Sequence, residues 1–239
     1  MANEQWNLVQ PQTLCGGVFV TFRTAGSVPA ATINRLEAEQ HRWLTQITER
    51  GINARQWLSS ASKRFLGRLD DLLDAPGQSD LLIRPGVADV IRTSLLRYND
   101  VYYRLGAYCI MPSHVHALLF LPEPFAIEAN LAVGEQAVAP EPLDRFLAFW
   151  TLGTTHRINS LLRRSGPLWH PAFYIQPIQD TEELNRLADY IAFNPLKAGL
   201  VARPHEWQWS SAHDRFERDG CESAWLCSEP ATGPQISFR

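Results

Sequence analysis

Two histidines, His114 and His116, stand two residues apart in the stretch Tyr108-Cys-Ile-Met-Pro-Ser-His-Val-His-Ala-Leu-Leu-Phe120. The stretch reads as the end of one strand, a tight Pro-Ser turn and the start of another. Successive side chains on a strand point to opposite faces, so both imidazoles share one face and Val115 and Ala117 take the other. A pair of imidazoles on one face could hold a divalent metal ion, and could equally be packed and hydrogen-bonded in a core. His-x-His alone does not choose between these readings.

A later stretch, Asp180 to Val201, carries a second set of chemically capable groups. Asp180 with Glu183 has the spacing of a capping box, and Leu184, Leu187 and Ile191 make the apolar stripe of a helix. Pro195 disfavours helical geometry at the preceding residue, so the helix is expected to end near Asn194. Tyr190 and Asn194 are four apart and lie one above the other on a single helix face. A phenol and a carboxamide are thus presented together near a helix end.

These segments, Pro-Ser-His-Val-His and Tyr-Ile-x-x-Asn-Pro-x-Lys-Ala-Gly-Leu-Val, resemble the single-tyrosine HUH transposases, in particular the REP-associated tyrosine transposase branch. Gly-x-Leu-Trp-His-x-x-Phe-Tyr at 166–174 and Arg-Pro-His-Glu-Trp-x-Trp-Ser-Ser-Ala at 203–212 fit the same branch. The resemblance runs from about residue 81 to 212, and more loosely back to Val18. It implies that His114, His116 and Asn194 hold Mg2+ or Mn2+ and that Tyr190 attacks a DNA phosphorus. A 5'-phosphotyrosine and a free 3'-hydroxyl would follow, which a second 3'-hydroxyl could reverse. The implied substrate is single-stranded or hairpin DNA.

The sequence departs from the family pattern in three places. Ser113 stands where asparagine is usual, Leu152 where lysine is common, and Ile175 and Gln176 where a charged residue follows the aromatic pair. The formal net charge is -3, against the basic footprint usual for nucleic-acid binding. Basic residues nevertheless gather locally. Arg157, Arg163, Arg164 and Lys197 are the candidate phosphate contacts, whereas Lys63, Arg64 and Arg68 read as a solvated face. A domesticated, non-cleaving binder of structured single-stranded DNA is the alternative function. A hydrolase of small phosphoesters is a third reading, to which the tyrosine motif adds little.

The elements that must position these groups follow from periodicity and punctuation. Gly17 to Arg23 alternates as a first strand. Residues 31–48 and 57–73 read as helices, together a partly independent elaboration over 31–79. A helix over 85–98 precedes strands over 102–111 and from His114. Residues 122–142, with four prolines and acidic but no basic groups, read as an inserted loop. A helix over 143–162, a strand over 169–178 and the Tyr190 helix follow, with a tail over 213–239. Trp169, Phe173 and Tyr174 read as core packing, and Trp207 and Trp209 as packing anchors.

The order implies an α+β chain with a ferredoxin-like split β-α-β antiparallel sheet, helices mainly on one face, the N-terminal elaboration, and one domain over 1–239. The histidine strand should be central. With no apolar run near the roughly 20 residues that span a bilayer, no membrane partner is expected. Cys15, Cys109, Cys221 and Cys227 are scattered, which argues against a zinc site and for a reduced, cytoplasmic protein. Monomer and homodimer are left open.

Overall fold

The computed structural model describes residues 17–49, 54–121, 141–171, 173–178 and 180–219. Strand β1 (Gly17–Arg23) is followed by helices α1 (Ala30–Glu49), α2 (Ala54–Leu73) and α3 (Val87–Arg97). Strands β2 (Arg104–Ile110) and β3 (His114–Phe120) come next, then α4 (Glu141–Leu162), β4 (Tyr174–Pro177), α5 (Thr181–Lys197) and α6 (Ser211–Asp219). The strands line up as β2-β3-β1-β4. Each neighbouring pair is antiparallel, so β1 and β2 run parallel on either side of β3. This is the expected α+β split β-α-β layout, with the histidine strand central.

Alternation along the strands sorts the interior into two cores. Val18, Val20, Phe22, Ile110, Val115, Ala117 and Ile175 face one side, where α3 and α4 cover them with Ile91, Leu95, Leu147 and Trp150. Phe19, Cys109, Met111, Leu118 and Tyr174 face the other, under Ile33 and Leu36 of α1, Leu66, Leu69 and Leu73 of α2, and Leu187 and Ile191 of α5. Helices therefore cover both faces of the sheet, not mainly one. Every residue of β1 is buried, which a two-sided cover requires. Trp150 anchors the first core against Phe22 and Trp169, at ring-centroid distances of 4.5 and 5.3 Å. Burying aromatic or aliphatic side chains of this size stabilises by about 1.5–3 kcal/mol each.

Several expected boundaries move, each for a local reason. Helix α2 is not an appendage, because Leu66, Leu69 and Leu73 pack into the same core as the strands. Helix α5 continues past Asn194 to Lys197 with Pro195 inside it. A proline in the last turn forfeits little, and the true stop is Gly199, whose φ of 72° only glycine adopts without strain. The Leu200 amide donates to the Pro195 carbonyl at 2.9 Å and the Gly199 amide to Leu196 at 3.0 Å, which together form a Schellman ending.

The fourth strand is confined to Tyr174–Pro177, with Trp169 only bridging Thr24. The expected loop over 122–142 overlaps α4 at its last two residues, and the remainder lies outside the described residues. The tail expected from residue 213 begins instead as α6, which docks on β2: the Tyr108 amide donates to Ser211 Oγ at 3.0 Å, and Cys109 bridges Ser210. The rest of that tail, the lead-in before residue 17, and Cys15, Cys221 and Cys227 also lie outside the described residues. Trp207 and Trp209 are anchors as expected: the Trp207 indole donates to the Ile110 carbonyl at 2.9 Å, and Trp209 packs on the first core. Among the described residues no helix is long and apolar enough to cross a membrane.

At the start of α5, Asp180 Oδ1 accepts from the Glu183 amide at 2.8 Å. The return half of a capping box is replaced, because the Glu183 carboxylate accepts from Gln176 instead. Asp180→Ala should therefore lower stability by about 1 kcal/mol, read as an earlier midpoint in urea denaturation at unchanged slope. An unshifted midpoint would show that the cap contributes nothing.

Candidate metal and nucleophile site

Antiparallel register makes the site. Thr21 of β1 lies opposite His116 of β3, and Arg23 opposite His114. Both histidines are fully buried, their rings edge to face with centroids 4.6 Å apart, on the sheet face that α2 and α5 cover. Phe19 stacks on His116 at 5.3 Å and holds its ring plane. From α5, Tyr190 brings its ring to 5.7 Å from that of His116, and Asn194 Nδ2 comes to 3.4 Å from His116 Nε2. The four residues singled out from the strand and the helix thus meet in one place.

Sequence reasoning missed the residue at their centre. Asp70 of α2 is fully buried and accepts hydrogen bonds at Oδ2 from the Tyr190 hydroxyl and, at 2.9 Å, from Asn194 Nδ2. The same oxygen lies 3.4 Å from His116 Nε2. A signal for it was present. Leu66, Leu69 and Leu73 define the buried stripe of α2, and Asp70 occupies the i+4 place in that i, i+3, i+4, i+7 pattern. A carboxylate on an apolar stripe requires a partner.

The hydrogen-bond pattern fixes where the His114 lone pair points. Ser113 donates its hydroxyl proton to the Leu73 carbonyl at 2.9 Å, so at 3.2 Å it can only accept from His114 Nδ1. His114 Nε2 is then a bare lone pair. Thr21 Oγ1 holds His116 Nδ1 at 2.9 Å, which leaves His116 Nε2 facing Asp70 and Asn194. Second-shell partners on the far nitrogen are how metal-binding histidines are usually oriented.

At this site, three buried acceptor atoms have no hydrogen-bond partner among the described residues: His114 Nε2, Asp70 Oδ1 and Asn194 Oδ1. Asp70, His114 and His116 each offer a ligand atom, and these atoms lie within 4.8 Å of one another. Unpaired buried acceptors of this kind each cost about 1–3 kcal/mol unless something positive joins them. The donor set fits a divalent cation by its chemistry, with imidazole nitrogens, a carboxylate and an amide oxygen.

Local electrostatics agree. Burial alone would raise the Asp70 pKa, but the His116 and His114 imidazoles and the Tyr190 hydroxyl outweigh it and hold the carboxyl at about 2. Burial, with the neighbouring His116, drives His114 down to about 3, so its ring is neutral and available as a ligand at physiological pH. Burial and the Asp70 carboxylate push the Tyr190 phenol well above its ordinary value. With Asp70 charged beside it, Tyr190 keeps its proton.

The basic candidates divide. Lys197 closes α5 on the site side, pairing with Asp71 at 3.1 Å. Arg157 belongs to α4, on the sheet face away from the histidines, and donates to Ser94 of α3 at 3.2 Å. Arg163 and Arg164 lie just past the end of the same helix, with Arg164 donating to the Pro167 carbonyl at 2.9 Å. Of the four, only Lys197 belongs to a helix that carries site residues. Tyr174 is buried and stacks on Phe65 at 5.4 Å, the packing role expected of it. Trp169 and Phe173 likewise join the first core.

Asp74, one turn beyond Asp70, has its pKa raised to about 6 by burial and by the Asp70 charge. A carboxyl pKa raised on folding opposes stability above that value and ceases to do so below its unfolded value, near 4. Asp74→Asn should therefore raise the melting temperature at pH 7.5, with a smaller gain at pH 4.5. Equal gains at both pH values would contradict the assignment.

No family model matches the chain. Among curated proteins it is 32% identical over 111 residues to a Haemophilus influenzae protein named "Putative REP-associated tyrosine transposase", spanning 45% of this chain and 57% of that one. It is 24% identical over 125 residues to the REP-associated tyrosine transposase of Escherichia coli, spanning 52% and 64%. The chain thus spans under two thirds of the length of the curated relatives it matches. Both carry the family name to which the motifs pointed. A solved structure described as a REP-associated tyrosine transposase bound to a REP hairpin aligns over 94% of this chain and 92% of its own, at a TM-score of 0.48 and 15% identity.

Proposed function

We propose that this protein cleaves and rejoins single-stranded, hairpin-forming DNA through a covalent bond between Tyr190 and a 5'-phosphate. The observation that carries the reading is the convergence of Tyr190 and Asn194 from α5 with the two imidazoles of β3. A hydrolase of small esters has no need of a phenol aimed at a metal-ligating pair.

The residues divide the work. His114, His116 and Asn194 would hold Mg2+ or Mn2+. The cation supplies charge neutralisation for the attacked phosphodiester, whose anionic oxygens otherwise repel a nucleophile. Tyr190 Oη forms the new bond to phosphorus while the bond to the 3'-oxygen breaks. The phenol proton leaves the tyrosine, and the departing 3'-oxygen takes up a proton to become a hydroxyl. Because phosphotyrosine keeps the phosphodiester bond energy, a second 3'-hydroxyl can reverse the step with no high-energy cofactor. Lys197, at the end of the same helix, is the proposed phosphate contact.

A second reading, a binder of structured single strands that no longer cuts, draws support from the acidic balance of -3. It also draws support from a Tyr190 hydroxyl already engaged by Asp70. Both readings predict binding to hairpin oligonucleotides drawn from repeats flanking the gene. Only cleavage predicts a covalent protein–DNA band on a denaturing gel that depends on Mn2+ or Mg2+. That band should vanish in Tyr190→Phe and fall at least about 100-fold in His116→Ala. An undiminished band from Tyr190→Phe would remove Tyr190 as nucleophile. Hairpin binding with no band from the unaltered protein would favour the second reading.

A further inference from the structure

We infer that Asp70 is itself a ligand of the cation, so that the site is anionic, and that taking up the ion releases Tyr190 from the Asp70 carboxylate. The inference rests on the metal-dependent reading above and adds a residue from α2, before the stretch that carries the resemblance.

Three observations converge on it. First, Asp70 is fully buried, with its Oδ2 held by a phenol and an amide and 3.4 Å from His116 Nε2. Buried carboxylates persist when paired with a cation or bound to a metal, and hydrogen bonds from neutral donors offset only part of the desolvation. Second, Asp70 Oδ1 has no hydrogen-bond partner, and neither has His114 Nε2. The ligand atoms of Asp70, His114 and His116 fall within 4.8 Å of one another, a separation that one ion can bridge. Third, the nearby lysine is otherwise engaged, since Lys197 pairs with Asp71 on the surface.

The amide of Asn194 explains how the parts exchange. Its Nδ2 donates to Asp70 Oδ2 and lies 3.4 Å from His116 Nε2, while Oδ1 is buried without a hydrogen-bond partner. Turning the amide would set its oxygen against the Asp70 carboxylate, which is unfavourable until a cation joins the two. Once Asp70 and His116 direct their lone pairs at an ion, the reason for the present orientation disappears and Oδ1 can turn inward. The same redirection takes Asp70 Oδ2 from the Tyr190 hydroxyl and leaves that hydroxyl for substrate. Two imidazoles, a carboxylate and an amide oxygen would occupy four of about six positions and leave the others for phosphate oxygens. A donor set with a carboxylate and two imidazoles also suits Mn2+ at least as well as Mg2+.

The test uses the full chain stripped with a chelator and titrated with Mn2+ in the absence of DNA, with free Mn2+ followed by electron paramagnetic resonance. The unaltered protein should take up one ion, His116→Ala should take up none, and Asp70→Asn should bind at least about tenfold more weakly. Should Asp70→Asn fail to fold, unaltered protein carrying 13C at its aspartate carboxyl carbons provides the second readout. Bound Mn2+ should then show a strong 13C coupling by electron–nuclear double resonance. Wild-type affinity in folded Asp70→Asn, or no 13C coupling, would overturn the role of Asp70 while leaving the histidine site standing. An unaltered protein that takes up no Mn2+ would overturn the metal-dependent reading together with it.

Discussion

A carboxylate shut away from water, with a phenol, an amide and an imidazole around one oxygen and no hydrogen-bond partner at the other, is the constraint around which this molecule is arranged. Asp70 joins three elements distant in sequence: α2, which carries it, α5, which hydrogen-bonds it through Tyr190 and Asn194, and β3, whose His116 faces it. Removing a carboxylate from water costs several kcal/mol, and the hydrogen bonds it accepts recover only part. The packing that encloses it must supply the rest. Leu66, Leu69 and Leu73 on the same helix do this by burying themselves against the sheet.

The sheet contributes order more than chemistry. Antiparallel pairing sets Thr21 opposite His116, and two-residue alternation gives His114 and His116 a common face. Register and alternation together decide which nitrogen each ring presents, because Thr21 and Ser113 occupy the Nδ1 atoms. On the opposite face, Trp150, Phe22 and Trp169 make a rigid apolar layer with no part in the site's hydrogen bonds. A rigid support of that kind limits how far the imidazoles can drift, on which the proposed in-line attack depends.

Much of this was legible in the residues. The order of strands and helices and the shared face of Tyr190 and Asn194 follow from periodicity and turn residues, and the central place of the histidine strand is what the family resemblance implies. Pro195 misled because its cost depends on where in a helix it falls: in the last turn, before Gly199, it ends nothing. The two-sided covering of the sheet was hidden because a strand facing helices on both sides need not show a polar face. Gln176, His114 and His116 alternate like surface positions yet are buried. Asp70 was hidden for a related reason, since one acidic residue in an otherwise amphipathic helix reads as solvated until the stripe is counted through it. Arg157, Arg163 and Arg164 were chosen by proximity in sequence, and the fold sends their helix to the far side of the sheet.

The most direct test of the claim that these buried acceptors form a cation site is diffraction from crystals grown with Mn2+, recorded at the manganese absorption edge. The account predicts an anomalous peak bridging His114 Nε2 and His116 Nε2 with Asp70 in its coordination sphere, and the Tyr190 hydroxyl no longer on Asp70. A structure in which both imidazoles bind only protein or water, with manganese absent from the site or bound elsewhere, would contradict it.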